Sequence, residues 1–143
     1  MMQTSAALIG RFLLGFFFLV PGVMKLVSYD GTLAYMTSHD IVQADYVGYL
    51  LIAASVVEIV AGTALIVGFF SRFAAVTLFA FTIVVNVFLH DFWTLSEPAL
   101  QLELQLFFKN LGIMGGLAMI MALGAGPVSV DSRLAGGRLA AQE

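Results

Sequence analysis

A chain of 143 residues is short enough for one domain, and with 61 % hydrophobic and 10 % charged residues its mean hydropathy is +1.01. Soluble domains carry about 25 % charged residues, and a core this small cannot hide so much apolar surface, so the expected solvent is lipid. A net charge of −3 without any block of like charges excludes a nucleic-acid footprint, and the absence of cysteine excludes disulfides, thiol exchange and cysteine-held iron–sulfur clusters.

Hydropathy predicts an all-α integral membrane protein: a single domain over 1–143 forming a bundle of four transmembrane helices at about 5–27, 46–70, 72–92 and 100–125. Each stretch reaches the roughly 20 residues that cross a hydrocarbon core of about 30 Å. The first span has no basic residue before its apolar run and carries Arg11 within it, which fits a retained span better than a cleaved signal. Arg11, Gly15, Phe18, Gly22 and Lys25 recur along it at helical steps, so one face looks inward, with glycines that admit a second helix. Pro21 is expected to bend its outer end.

Residues 28–45 are expected to form a polar loop, holding Asp30, Asp40 and Asp45 without Lys or Arg and including Ser38-His39-Asp40-Ile41. The second span is interrupted only by Glu58, and Gly68 to Ser71 join it to the third in a tight hairpin. The third has no charge over 73–89, and Asn86 and His90 lie four residues apart near its end. After a loop with Asp91 and Glu97, the fourth span contains Glu103, Lys109 and Asn110, and its Gly-Ile-Met-Gly-Gly run at 112–116 suits close helix packing rather than phosphate binding. Residues 126–143 read as a helix stop followed by a cytoplasmic tail.

Arg72, Arg133 and Arg138 lie at one end of this layout and the acidic loops at the other, so the positive-inside rule places both termini in the cytoplasm. The four tyrosines and the single tryptophan, Trp93, fall near the outer boundary as interfacial anchors.

Charged groups at the bilayer centre cost about 2.5–3.5 kcal/mol each, so those present are expected to face inward and to be paired. At 1.5 Å per residue Glu58 and Lys109 lie roughly 18 and 14 Å from the outer ends of their spans, which predicts a midplane ion pair with Asn110 beside it. Lys25 and Glu103 form a second expected pair in an outer layer with Asn86 and His90. Arg11, Glu58, His90, Lys109 and Asn110 are thus the candidate intramembrane polar site, and its role is either a ligand or proton site or a lock between helices. His90 is a candidate proton relay, imidazole being the side chain that exchanges protons near neutrality. No metal-ligand spacing, hydrolase motif or nucleotide fingerprint is present.

Arg11-Phe12-Leu13-Leu14-Gly15, Pro21-Gly22-Val23-Met24-Lys25-Leu26, Gly31-Thr32, Tyr35-Met36, Glu58 with Gly62, Gly68-Phe69-Phe70-Ser71-Arg72, Phe88-Leu89-His90, Phe107-Phe108-Lys109-Asn110-Leu111-Gly112-Ile113 and Gly115-Gly116 together resemble the DoxX family of small four-helix membrane proteins. Gly126-Pro127, Ser129 and Asp131 resemble its closing motif, with Val128 where relatives carry glycine. The 38–41 segment lacks the Gly-x-Pro common there in relatives. The resemblance implies a multi-pass inner-membrane protein, similar to DoxD-type subunits of thiosulfate:quinone oxidoreductase. Its implied role is a membrane partner or quinone-binding subunit of a redox or oxidative-stress complex, associated with soluble redox enzymes or with further copies of itself. No intrinsic cofactor is evident; the implied ligand is a quinone. A catalytic quinone-reducing subunit served by a separate donor-oxidising chain, or a transporter of a small metabolite or protons, are the alternatives.

Overall fold

A computed structural model describes residues 2–39 and 43–140; Asp40 and Ile41 of the 38–41 loop, and the last three residues of the tail, lie outside them. Four helices are long and apolar enough to cross a membrane: α1 (Met2–Val27), α3 (Ala44–Val67), α4 (Ser71–Phe88) and α5 (Ala99–Leu123). Two short helices join them, α2 (Tyr29–Thr37) and α6 (Val130–Ala140), with a 3₁₀ turn at Phe92–Thr94 and no strand among the described residues. The surface is inverted relative to a soluble protein. Leu13, Val60 and Phe73 are 60, 63 and 71 % exposed while Arg11, Glu58, Asn86, Glu103 and Asn110 are buried, as lipid solvent requires.

Helix α1 packs most extensively on α3, and α5 on α4. Glycine sets the first contact. A Cβ added to Gly15 would stand 2.6 Å from the carbonyl oxygen of Gly62, and one added to Gly62 would stand 2.8 Å from that of Gly15, so the two backbones touch where any side chain would separate them. One further contact lies at Gly22, whose added Cβ would be 2.9 Å from Cβ of Glu58. In the Gly112–Gly116 run only Gly116 meets a neighbour, Leu14 of α1; Gly112 and Gly115 face open space. Phe18, Ala61, Leu65, Ala74, Ala75, Leu78, Leu117 and Ile120 form the buried core between the four spans.

Helix ends explain most departures from the predicted spans. The second span ends at Val67, because Gly68 takes the left-handed conformation (φ 74°) and the Gly68 and Phe69 N–H groups return to the Ala64 carbonyl. Phe70 is also left-handed (φ 47°), a conformation that costs a non-glycine residue about 1–2 kcal/mol. It is held by Asp131, whose carboxylate accepts the N–H groups of Phe70 (2.8 Å) and Ser71 (2.9 Å) while the Asp131 N–H donates to the Gly68 carbonyl (2.8 Å). A carboxylate there also faces the positive end of the α4 dipole. Ser129 Oγ accepts the Ser132 N–H (3.1 Å) and so caps α6. The expected featureless tail is therefore a short helix clamped to the α3–α4 hairpin.

The expected loop at 28–45 contains α2. Tyr29, Leu33 and Met36, four and three residues apart, give it an apolar face that packs on Val47 and Leu51 of α3. Helix α1 runs unbroken through Pro21 to Val27. The Arg11 guanidinium donates to the carbonyls of Ala125 (3.0 Å) and Val128 (2.9 Å), and Arg72 donates to that of Ala122 (3.2 Å) near the end of α5. These contacts gather the starts of α1 and α4, the ends of α3 and α5, and α6 at one terminal end of the bundle; α2 and the 3₁₀ turn close the loop end.

Gly15→Leu should drive α1 from α3 and lower the thermal midpoint of the detergent-purified protein by an amount corresponding to about 1–3 kcal/mol or more. Gly112→Leu, which adds its side chain to open space, should leave the midpoint near wild type. Equal loss in both would overturn the glycine seam.

Candidate functional site

The α1–α3 seam that closes at Gly15 and Gly62 also brings Lys25 to Glu58. Lys25 follows Gly22 by three residues on the same face of α1, and its Nζ donates to Oε2 of Glu58 at 2.6 Å. Glu58 is buried and Lys25 keeps a quarter of its side chain exposed. Both expected pairs are thus repartnered. Glu58 meets Lys25 rather than Lys109, because depth matched the latter two but helix packing put α1 against α3 and α5 against α4. Lys109 Nζ instead lies 5.5 Å from the ring centroid of Phe17, a cation–π contact between α5 and α1.

Glu103 is likewise engaged elsewhere. Helix α4 stops at Phe88, with the Leu89 N–H bonded to the Val85 carbonyl (2.8 Å), so His90 lies beyond the helix instead of one turn above Asn86. It turns toward α5, where its Nδ1 meets Oε2 of Glu103 at 2.7 Å. A carboxylate accepting from Nδ1–H leaves Nε2 as the ring nitrogen for a ligand. Tyr35 of α2 stands over the same pair, its hydroxyl 3.3 Å from the Leu89 carbonyl and 3.5 Å from Oε1 of Glu103. Burial, the adjacent Glu103 charge and hydrogen bond, and Asp91 push the Tyr35 phenol up to about 12.

Between these groups lies a cavity of about 420 Å³ at the loop end, walled by α2, α3 and α4 and reached by Lys25 from α1. Its polar lining is Lys25, Thr32, Tyr35, Glu58 and His90; the rest is apolar, including Leu50, Val57, Phe81 and Phe88. A largely apolar pocket with a few converging polar groups is the usual form of a small-molecule site. Of the five residues singled out in sequence, Glu58 and His90 line it. Arg11 belongs to the terminal-end clamp. Asn110 donates to Oδ1 of Asn86 (2.8 Å), which in turn donates to the Phe107 carbonyl (3.3 Å), bonding α5 to α4 away from the cavity. Lys25, Thr32 and Tyr35 complete the lining. Lys25 was legible as an inward charge, whereas Thr32 and Tyr35 depend on the folding of α2. No group of His, Asp and Glu among the described residues is arranged to hold a metal ion.

Four helices able to span a membrane, with buried ionisable groups paired between them and a polar-lined cavity at one end, define an integral membrane protein. The chain belongs to the DoxX family, whose profile matches residues 6–91. It is 31 % identical over 126 residues to inner membrane protein YphA of Escherichia coli, covering 88 % of each chain, and 27 % identical to inner membrane protein YqjF of the same organism, over 93 % of this chain and 95 % of that one. A 68-residue stretch is also 32 % identical to the surfeit locus protein 4 homolog of Drosophila melanogaster, covering 46 % of this chain and 25 % of that protein. No solved structure matches. With these relatives the chain is a multi-pass inner-membrane protein, as its sequence led one to expect.

Two measurements check the site. Glu58→Gln and Lys25→Met should each lower thermal stability, by roughly 3 kcal/mol where a buried charge is left alone, and the charge-exchanged double variant should recover part of the loss. Lys109→Met should cause no such loss, whereas a Glu58–Lys109 pair would require one. Tyr35 should ionise near pH 12 in the absorbance difference between wild type and Tyr35→Phe. Since its folded pKa lies above the ordinary value of about 10, its stabilising contribution is complete below that value and is lost as pH rises toward 12. Ionisation near 10 would place the phenol in water.

Proposed function

We propose that the protein is a quinone-binding membrane subunit that works with a partner redox chain, its termini in the cytoplasm and its cavity toward the opposite face. The observation that carries this reading is the cavity itself. A quinone head is a flat apolar ring with two carbonyl oxygens, and the cavity offers it apolar walls together with polar groups on different sides: the Lys25 ammonium, which has N–H groups beyond the one given to Glu58, the Tyr35 hydroxyl, which turns to the head from its long contacts with Leu89 and Glu103, and the His90 ring, whose Nε2 donates in the imidazolium form. Reduction of a quinone to a quinol consumes two electrons and two protons. Lys25–Glu58 and His90–Glu103 are the groups placed to hold or pass those protons. The chain has no cysteine, and the partner in this proposal supplies the electrons by oxidising a donor.

The transport alternative has less support. The cavity lies at one end of the bundle, and the packed side chains of Phe18, Leu65, Leu78 and Leu117 stand between it and the Arg11 layer at the other. A catalytic quinone-reducing subunit shares this cavity and differs in that this chain itself carries out the reduction; in both readings a separate chain oxidises the donor.

The protein reconstituted in lipid nanodiscs should bind ubiquinone carrying a single isoprene unit, with the head-group absorbance and the thermal midpoint both shifting on addition. Tyr35→Phe and His90→Gln should weaken binding about tenfold each, the loss of one hydrogen bond to a polar head in an apolar site. Asn110→Ala should not affect it. Absence of binding, or equal binding by all variants, would overturn the proposal.

A further inference from the structure

The polar cavity continues along the wall of the bundle. A second cavity, of about 630 Å³, lies between α3 and α4 on the side of the terminal end, and Val57 lines both. On α3 the residues facing this gap are Ala53, Val57, Val60 and Ala64, at steps of four, three and four; on α4 they are Phe73, Thr77, Phe81 and Val84, at steps of four, four and three. Both series follow one helix face, so the two cavities are parts of one groove. From Ala53 to Ala64 it runs roughly 17 Å down the membrane. Its mouth opens to lipid, where Val60 and Phe73 are 63 and 71 % exposed.

This groove exists because α3 and α4 are joined differently from α1 and α3. No glycine brings their outer faces together, and they meet on their inner sides through Ala61, Leu65, Ala74 and Leu78. The terminal part of the groove offers nothing to a polar ligand. Thr77 is its one polar side chain, and its hydroxyl is already given to the Phe73 carbonyl at 3.0 Å.

We infer that the groove holds the hydrocarbon tail of the ligand whose head occupies the polar cavity, and that the ligand enters sideways from the bilayer through the α3–α4 gap. The inference rests on the quinone reading of that cavity, and the occupant it names is a polyisoprenoid tail. Continuity with the polar cavity selects a molecule with a polar head and a long apolar chain. Lipid is as apolar as the groove wall, so transfer of the tail from bilayer to groove brings little hydrophobic gain. The groove instead fixes the direction of the tail, and with it the way the head meets Lys25, Tyr35 and His90. An acyl chain shares the tail chemistry, so phospholipid is the competing source.

Two ubiquinone probes test this in nanodiscs: one with a photoreactive diazirine at the end of a long isoprenoid tail, the other with the diazirine on a single isoprene unit. Cross-links of the long probe should map to residues 60–64 and 70–77, and those of the short probe to 53–58 and 81–88. Val60→Trp and Thr77→Phe, which add bulk on a lipid-facing wall, should weaken long-tailed ubiquinone by about tenfold and leave the one-isoprene form unchanged. Their thermal midpoints report whether the fold is intact. Tail cross-links scattered over α1 and α5, or equal weakening of both forms, would overturn the tail site while leaving the cavity proposal standing. A phospholipid acyl-chain probe that labels 60–64 and 70–77 and is not displaced by long-tailed ubiquinone would also overturn it. Failure of both ubiquinones to bind would remove the cavity proposal, and the tail site with it.

Discussion

Everything at the loop end depends on how closely α1 approaches α3. In lipid no hydrophobic force presses helices together, so association rests on van der Waals contact and on polar groups that find one another. Gly15 and Gly62 remove the side chains that would keep the two backbones apart, and Gly22 does the same beside Glu58. With that spacing, a lysine one turn further along α1 reaches a carboxylate that would otherwise stand unpaired in the membrane. The glycine seam and the ion pair are one device: the first makes the second possible, and the second gives the seam its register.

The two ends of the bundle carry different burdens. At the terminal end, Arg11, Arg72 and Asp131 are spent on main-chain groups left over by helix ends and by the left-handed turn at Gly68 and Phe70. Each of these three side chains has backbone partners, and those of Asp131 fasten α6 to the α3–α4 hairpin. At the loop end, charges pair with side chains around empty space, and the short helix α2 forms one wall through a small apolar cluster of its own. One end of the bundle is thus clamped through its backbone, and the other encloses a cavity.

The candidate site was partly legible. Glu58 and His90 stood out because ionisable groups are costly at membrane depth, and both line the cavity. Lys109 stood out for the same reason, yet it rests against Phe17, since depth along a helix axis says nothing about which neighbour its face meets. Asn86 and Asn110, placed in separate layers by counting residues, donate and accept across the α4–α5 contact. Thr32 and Tyr35 belong to the family motif, but they lie in a stretch whose three aspartates outweigh the Tyr29–Leu33–Met36 stripe, so the helix and the wall they form are not legible in sequence.

The sequence by itself determined the solvent, the number of spans and their rough limits. These follow from local sums, since about 20 apolar residues cross a bilayer as helix whatever surrounds them. It also marked Arg11, Glu58, Asn86, Glu103 and Asn110 as residues that lipid drives inward, and these are buried, whereas Lys109, expected with them, stays exposed. Only the tertiary structure decided how those residues pair and what space they enclose. Pairing depends on the rotation of each helix about its axis and on the order of helices around the bundle, and both come from close contacts such as Gly15 on Gly62 that link residues far apart in the chain.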